Sequence, residues 1–309
     1  MRWASAASTR ERIDEALSEV VERAQVSLGD LRADLVIVFV SPHHVAGFLS
    51  VPAFLQSRFR GAAVVGCSAA GTLAMGVEHE SGPSIVLMLA NLPDVDVRAF
   101  HLPPTALQDA SAWRDAVGCD PLAAPALILL PDPYTAPGEP LCTAVDKVYA
   151  HSVKLGGVSS GSPPDTAALF AGGLMHRSGM VGLALVGDLQ MSSVVAQGAR
   201  MVGPAFVITQ LDRNRLQTLD GRAATEVLIE AFEEMSALDQ HLFKSAPLVG
   251  VSSGVGQHLV RSILSMDRSS GSLTVGFEGD VGQTVRFAVR DPLAAREEMK
   301  QLLRIDGEH

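Results

Sequence analysis

Hydrophobic positions recur along the chain in two spacings, one typical of helices and one typical of buried strands. Over residues 9–28 apolar side chains return every three or four positions and stop before Gly29, which predicts an amphipathic surface helix. The continuous apolar run 35–40 predicts a buried strand. A second helical pattern over 45–59 and a second apolar run at 62–68 follow. Strand, helix and strand in this order indicate a parallel pair joined by a crossover.

The same pattern returns later in the chain, and this indicates an internal duplication. The apolar run 126–131, a helical pattern over 139–150 and the run VKLGGVSSG ending at residue 161 repeat the order strand, helix, strand. The strings VGCSAAG at 65–71 and LGGVSSG at 155–161 stand at corresponding places, and VGVSSG at 249–254 resembles a third copy. Short β-rich runs punctuated by Gly, Pro and Asp follow each of the first two copies and predict antiparallel meanders.

These patterns predict an α/β (α+β) fold with layered, mixed and largely antiparallel sheets flanked by helices, built as two related halves. Further helices are predicted near 106–117, 223–235 and 292–303. The predicted organisation is an N-terminal helical segment (1–33), a first domain (34–219) and a smaller second domain (220–309).

Composition narrows the classes of function. The chain has 309 residues, of which 47% are hydrophobic and 19% charged, so it is expected to bury a substantial core. The net charge is −10 and no basic run occurs, which argues against a nucleic-acid partner. Three widely spaced cysteines, Cys67, Cys119 and Cys142, favour a reducing compartment over a disulfide framework. Without an apolar leader or a membrane-spanning run, we expect a cytoplasmic protein with no membrane insertion.

Two segments match G-x-S-x-G, the pattern of a serine nucleophile on a sharp strand-to-helix turn, at 157–161 and 250–254. The required helix is not predicted after either copy, because two prolines follow the first and a β-like run follows the second. Glycine and serine at tight turns are therefore the favoured interpretation. A hydrolase that uses Ser159 or Cys67 remains the alternative.

The turn at 66–71 has small side chains that would let a ligand approach backbone N–H groups. It lacks the Lys and the helix of a phosphate loop, so a carboxylate or another small polar group is the expected occupant. Glu78 and Glu80 are expected to share one face of a strand, with His79 on the other. Other residues with reactive side chains, whose spacing specifies no metal site, are His43, His44, Asp132 and Asp165.

Four passages resemble the FIST N and FIST C sensory domains over nearly the whole chain from about Asp34. They are GCSAAG at 66–71 with Glu78 and Glu80 downstream, GGVSSG at 156–161, AQGARMVGP at 196–204 and LDGRAATEVL at 219–228. The chain departs from the family at 199–201, where members often have Cys-Arg-Pro. Members also usually continue past the last predicted helix, so a shortened FIST C region is expected over 220–309.

The resemblance implies a non-catalytic, cytosolic sensor that binds a small molecule such as an amino acid, uses no cofactor or metal and passes its signal to a separate signalling protein. It implies a ligand site in which each residue type has a role. Arg200 would pair a ligand carboxylate, and Glu78 or Glu80 would hold an ammonium. A wall of backbone donors would be formed by Gly66, Cys67, Ser68 and Gly71, with Ser159 and Ser160 from the duplicated turn. A protein-binding adaptor without a ligand is a further alternative.

Overall fold

The computed structural model describes residues 1–161, 163, 167–254 and 257–306. The chain divides into two compact units, Met1–Ser192 and Ser193–His309. This division falls earlier than the boundary predicted near Leu219, because the long strand Ala199–Asp212 pairs with strand Thr284–Arg290 in the second unit. Each unit has a hydrophobic core of its own.

The first unit consists of two consecutive halves with the same order of elements. In the first half these are β1 (Arg2–Ser8), α1 (Ile13–Leu28), β2 (Leu35–Val40), α2 (Ser50–Arg58), β3 (Ala63–Ser68), β4 (Thr72–Ala74), β5 (Val77–His79) and β6 (Ile85–Asn91). In the second half they are β7 (Val95–Leu102), α3 (Ala110–Val117), β8 (Ala126–Pro131), α4 (Gly138–Val148), β9 (Lys154–Gly156), β10 (Leu169–Ala171), β11 (Leu174–His176) and β12 (Met180–Gly187).

The strands of the two halves are arranged in the same topology. Their order is β1-β6-β2-β3 in the first half and β7-β12-β8-β9 in the second. The pairs β2–β3 and β8–β9 are parallel, and the other pairs within these two groups are antiparallel. The predicted parallel crossovers are therefore confirmed, and the two related halves are found within the first unit, not over the whole chain. The first predicted meander is wrong at β6 and β7, which belong to different sheets.

The two hairpins break the symmetry between the halves. The hairpin β10–β11 extends the first sheet, where β10 pairs antiparallel with β3, whereas β4–β5 forms a separate two-stranded sheet. Connection length explains the difference. Residues 69–71 between β3 and β4 span roughly 10 Å at most, whereas residues 157–168 between β9 and β10 are enough to reach the other sheet.

The two sheets of the first unit pack face to face, and helices cover their outer faces. Side chains from both sheets, including Ile37 and Val181, form the central core. Helices α1 and α2 cover the first sheet through residues such as Leu17 and Leu55, and α3 and α4 cover the second sheet around Trp113. These helix, sheet, sheet and helix layers match the predicted fold class.

The first residues of the chain form a strand instead of part of a helix. β1 pairs along its whole length with β6. Helix α1 accordingly begins at Ile13, and the hydroxyl of Ser8 donates a hydrogen bond to the Glu19 carboxylate (2.5 Å). The predicted helical segment over 1–33 is right for α1 and wrong for β1, whose small residues give a weak hydrophobic pattern.

The second unit is an antiparallel sheet with three helices in its described part. Its elements are β13 (Ala199–Asp212), β14 (Arg215–Leu219), β15 (Arg222–Ala223), α5 (Ala224–Glu234), α6 (Ala237–Ser245), β16 (Leu248–Gly254), β17 (Gln257–Asp267), β18 (Ser272–Val275), β19 (Thr284–Arg290) and α7 (Pro292–Asp306). The strand order is β13-β19-β16-β17-β18-β14-β15, and an additional β13–β14 pairing closes the first six strands into a ring. Val227 of α5 and Phe243 of α6 lie in the core.

A glycine at the same point of each half lets the parallel strands approach closely. A Cβ on Gly66 would lie 1.9 Å from the carbonyl oxygen of Val38, and a Cβ on Gly156 would lie 1.9 Å from that of Leu129. Both glycines are the direct register partners of these residues. Since any side chain would collide with backbone, the two glycines fix the path of the chain into the turns that follow β3 and β9.

Candidate ligand site

The two turns singled out in the sequence leave the carboxyl ends of β3 and β9. Loops that begin at Ser41 and Asp132 leave the carboxyl ends of the neighbouring parallel strands β2 and β8. In α/β sheets, ligands bind in the crevice outside the carboxyl ends of parallel strands. These four loops are therefore where a ligand site of the first unit is expected.

Hydrogen bonds join the two turns. The backbone N–H of Ser160 donates to the carbonyl oxygen of Ser68 (3.1 Å), and the N–H of Ala70 donates to Oγ of Ser160 (3.0 Å). Gly161 lies against the same turn, since a Cβ there would stand 2.8 Å from Cα of Ala70 and 2.6 Å from Cγ of Pro42. The structure thus brings Ser68 and Ser160, predicted from distant parts of the sequence, into direct contact.

Several backbone donors of these turns are already used within the protein. The N–H of Ala69 donates to the carbonyl oxygen of Val40 (3.0 Å), and at the equivalent place the N–H of Ser159 donates to that of Pro131 (2.9 Å). The N–H of Ser68 donates to the chain just before β10. These groups therefore do not form the predicted wall of donors for an anion.

Cys67 and Ser68 are buried in the first sheet. Cys67 is 3% exposed in the core between the two sheets, and burial raises the pKa of its thiol to about 12. Such a thiol is protonated at neutral pH and is a poor nucleophile. The hydroxyl oxygen of Ser68 accepts a hydrogen bond from the N–H of Ala168 (3.3 Å). Both side chains are thus part of the packing of the sheet.

The predicted carboxylates Glu78 and Glu80 are exposed on the hairpin side of the first half. Glu78 lies on β5, opposite Leu73 of β4. The backbone of Glu80 comes near the first turn, because its Cα lies 3.7 Å from where a Cβ on Gly71 would stand. Water screens exposed carboxylates, so these two offer a ligand ammonium a weak partner.

Arg200 lies in the second unit, on β13, where two carboxylates hold its guanidinium. Its Nε donates to Asp291 (3.1 Å), and an Nη donates to Asp239. The hydrogen bond from Arg200 lowers the pKa of Asp239, and backbone N–H groups at the start of α7 together with Arg200 lower the pKa of Asp291. Arg200 thus joins β13 to α6 and to the start of α7.

Three buried polar atoms in the loops after β2, β8 and β9 have no hydrogen-bond partner in the part of the chain that the structure describes. They are Nε2 of His44, Oδ1 of Asp132 and Oγ of Ser159, and the three residues are 3%, 2% and 1% exposed. Burial lowers the pKa of His44 and favours its neutral ring. Buried polar groups in native proteins are nearly always paired, so each such atom calls for a partner.

Ser159 belongs to the site predicted from the sequence, whereas His44 and Asp132 were considered there without a role in it. Their positions in the sequence could have suggested a role in the site, because each of the two residues stands in the loop directly after the first strand of a strand-helix-strand unit. Asp165 lies outside the described residues. Among the residues described, no three side chains of His, Cys, Asp or Glu are grouped to hold a metal ion.

The second G-x-S-x-G segment lies on strand β16 and does not form a turn between a strand and a helix. The hydroxyl oxygen of Ser252 accepts a hydrogen bond from the N–H of Thr284 (3.2 Å), and Ser252 stands opposite His258. Since β16 pairs antiparallel on both sides, the segment 249–254 is not a third copy of the repeat.

Within the described ranges, no helix has the length and apolarity needed to cross a bilayer. An uncharacterized protein of Mycobacterium tuberculosis is 29% identical to this chain over 308 residues, which cover 97% of this chain and 79% of that protein. An uncharacterized protein of Mycobacterium bovis is 27% identical over 294 residues, which cover 93% and 75%. The family model of the FIST N domain matches residues 34–222, a range that contains both turns and all four loops of the candidate site. This match extends over more than half of the sequence, and the chain therefore belongs to the FIST N domain family.

Proposed function

We propose that this chain is a non-catalytic sensor that binds a small polar molecule at the carboxyl ends of β2, β3, β8 and β9. FIST domains are in general sensory domains of signal transduction that bind small ligands. In this proposal residues 220–309 form a FIST C-like part, and a separate signalling protein recognises the ligand-bound state.

The observation that carries the proposal is the pair of buried, unpaired atoms Asp132 Oδ1 and Ser159 Oγ. A buried polar group without a partner costs about 1–3 kcal/mol of stability. A ligand that hydrogen-bonds both atoms would remove that cost and would bind the folded chain only. Their place beside joined turns at the carboxyl ends of parallel strands supports a ligand as the missing partner.

The contacts of the candidate nucleophiles favour binding over catalysis. Burial raises the pKa of Cys67, and Ser159 Oγ makes no hydrogen bond to a base among the described residues. A serine or cysteine nucleophile needs an adjacent base or a lowered pKa. The three cysteines are free, which supports the proposed cytoplasmic location.

One observation favours the alternative of a protein-binding adaptor. The hairpin β4–β5 carries large apolar side chains that are exposed: Leu73 at 65%, Met75 at 72% and Val77 at 53%. Large apolar side chains left exposed on one short hairpin favour a protein contact there. A sensor with a separate signalling partner also needs such a surface, so ligand binding is the property that separates the two functions.

The test is a thermal-shift screen of the whole chain against common small metabolites at millimolar concentration. A ligand present at a hundredfold excess over its Kd stabilises the folded state by about 2.7 kcal/mol. We expect a stabilising class of compounds whose effect is lost in Ser159→Ala and kept in Ser57→Ala, a matched change at an exposed serine. A cooperative unfolding transition that no compound shifts would favour the adaptor.

A further inference from the structure

The carboxylate of Asp132 is held in the loop after β8 with one oxygen satisfied and the other not. Oδ2 accepts hydrogen bonds from the backbone N–H of Thr135 (3.0 Å) and from its hydroxyl (2.5 Å). Oδ1 is buried and has no partner in the described part of the chain. The contacts to Thr135 hold the carboxylate in one orientation, so Oδ1 is a fixed acceptor.

Comparison with the first half of the unit shows that a loop of this kind can be closed without a carboxylate. The residue equivalent to Asp132 is Ser41, whose backbone N–H donates to Ser84 just as that of Asp132 donates to Gly179 (both 2.9 Å). In the first half the hydroxyl of Ser41 accepts the N–H of Ser84 directly. The same turn is therefore closed by a neutral hydroxyl, and the charge on Asp132 is an addition specific to the second half.

A second acceptor lies in the neighbouring loop. Oγ of Ser159 is buried and unpaired, and the backbone N–H of the same residue donates to the carbonyl oxygen of Pro131, which directly precedes Asp132. The loops that carry the two unpaired oxygens are thus joined by a hydrogen bond at their bases.

The groups expected to receive a ligand carboxylate are engaged elsewhere. The backbone N–H groups of Ala69, Ala70 and Ser159 donate within the protein. Arg200 is paired with Asp239 and Asp291 in the second unit. What the first unit offers at this place is a buried carboxyl group and a buried hydroxyl, on two loops that a backbone hydrogen bond joins, in a chain whose net charge is −10. Such a site attracts cations and repels anions.

We propose that the ligand of this site is a small primary amine, whose ammonium donates to Oδ1 of Asp132 and to Oγ of Ser159, and that it needs no carboxylate. An ammonium carries three N–H donors and no acceptor, so it can satisfy both oxygens at once. Hydrogen bonds between charged partners are about twice as strong as neutral ones. This inference rests on the proposed function and names the class of its ligand.

The test uses matched sets of compounds with the whole chain: short primary amines, the alcohols and carboxylates with the same carbon skeletons, and amino acids beside the amines formed by their decarboxylation. Binding is measured by isothermal titration calorimetry near pH 7.5. We expect the amines to bind, the matched alcohols and carboxylates to bind at least about tenfold more weakly, and each amine to bind at least as well as its amino acid.

Two variants and one control locate the site. Asp132→Asn keeps an oxygen for Thr135 and removes the charge, so amine affinity should fall about tenfold or more while the protein stays folded. Ser159→Ala should also weaken amine binding. Glu233→Gln, which removes an exposed carboxylate from α5, should leave the affinity unchanged.

The contrary results distinguish a wrong ligand class from a wrong function. Binding of carboxylates or alcohols that depends on Ser159 and is unchanged in Asp132→Asn would overturn the amine assignment and leave the sensor function standing. Amine binding that Glu233→Gln weakens as much as Asp132→Asn would also overturn it, because general charge attraction would then explain the binding. Failure of every amine would refute the assignment, and failure of the broad metabolite screen as well would refute the sensor function.

Discussion

Replacement of Gly66 by alanine tests the close approach of the parallel strands below the candidate site. The new Cβ would stand 1.9 Å from the carbonyl oxygen of Val38 and 2.7 Å from its Cγ1. An ordinary contact needs at least 3.4 Å, so β2 and β3 would have to separate by about 1.5 Å. Both strands lie in the interior of the first sheet, where β6 and β10 flank them.

The expected loss in the free energy of unfolding follows from this separation of β2 and β3. Overpacking by one methyl group in a rigid core costs about 1–3 kcal/mol, and each backbone hydrogen bond lost between β2 and β3 adds about 1 kcal/mol. With one or two such bonds weakened, Gly66→Ala should destabilise the first unit by about 3–5 kcal/mol. This is a large part of the 5–15 kcal/mol that holds a typical domain folded.

Urea unfolding followed by tryptophan fluorescence measures this loss directly. The chain has two tryptophans, Trp3 and Trp113, and both lie in the first unit, so their signal reports that unit. The control is Gly157→Ala, where a Cβ would have no neighbour within 4 Å. A loss below about 1 kcal/mol for Gly66→Ala, or one no larger than that of the control, would refute the argument.

Three further predictions follow from buried or paired polar groups. Burial lowers the pKa of His176, and so does His101, whose ring stacks on that of His176 with the centroids 3.7 Å apart. The folded state therefore binds fewer protons than the unfolded state, and its stability should fall as the pH drops below about 6.5. The accompanying fall in the urea midpoint should be smaller in His176→Gln than in the unaltered protein. Ser159→Ala removes an unpaired buried hydroxyl and should stabilise the ligand-free first unit by about 1 kcal/mol in the same fluorescence assay, and a loss of that size would show that the hydroxyl is paired. Arg200→Ala leaves Asp239 without its cation and should speed hydrogen exchange in peptides of α6 more than Arg200→Lys does. Equal exchange in the unaltered protein and both variants would show that Arg200 does not stabilise α6.

Much of the first unit could be predicted from its sequence because the relevant signals are local. Apolar runs and helical periodicity identified β2, β3, β8 and most helices, and the repeated small-residue strings at 65–71 and 155–161 indicated the duplication. The weakly patterned β1 was missed, as was α6, where Ala237–Ser245 follows α5 after a break of two residues. Both were missed because short or small-residue segments carry little periodic signal.

The proposed ligand site stays a prediction, but the structure shows where its residues lie. Ser68 and Ser160 are in direct contact, because they sit in equivalent turns of a duplicated unit, and Ser159 directly precedes Ser160. Glu78 and Glu80 are exposed, and Arg200 is held by carboxylates of the second unit. Residue type and spacing indicate what a side chain can bind, but its actual partner depends on residues that are distant in sequence.

The sequence by itself determined the two strand-helix-strand units, the small residues after their second strands and membership in a family of sensory domains. Only the tertiary structure decided how these parts are used. It shows that several N–H groups of the turns donate hydrogen bonds within the protein and that Cys67 faces the core between the sheets. It also shows that Asp132 keeps one oxygen unpaired. The physical reason is that secondary structure follows from short-range patterns, whereas the pairing of a buried polar atom depends on which distant segments pack around it.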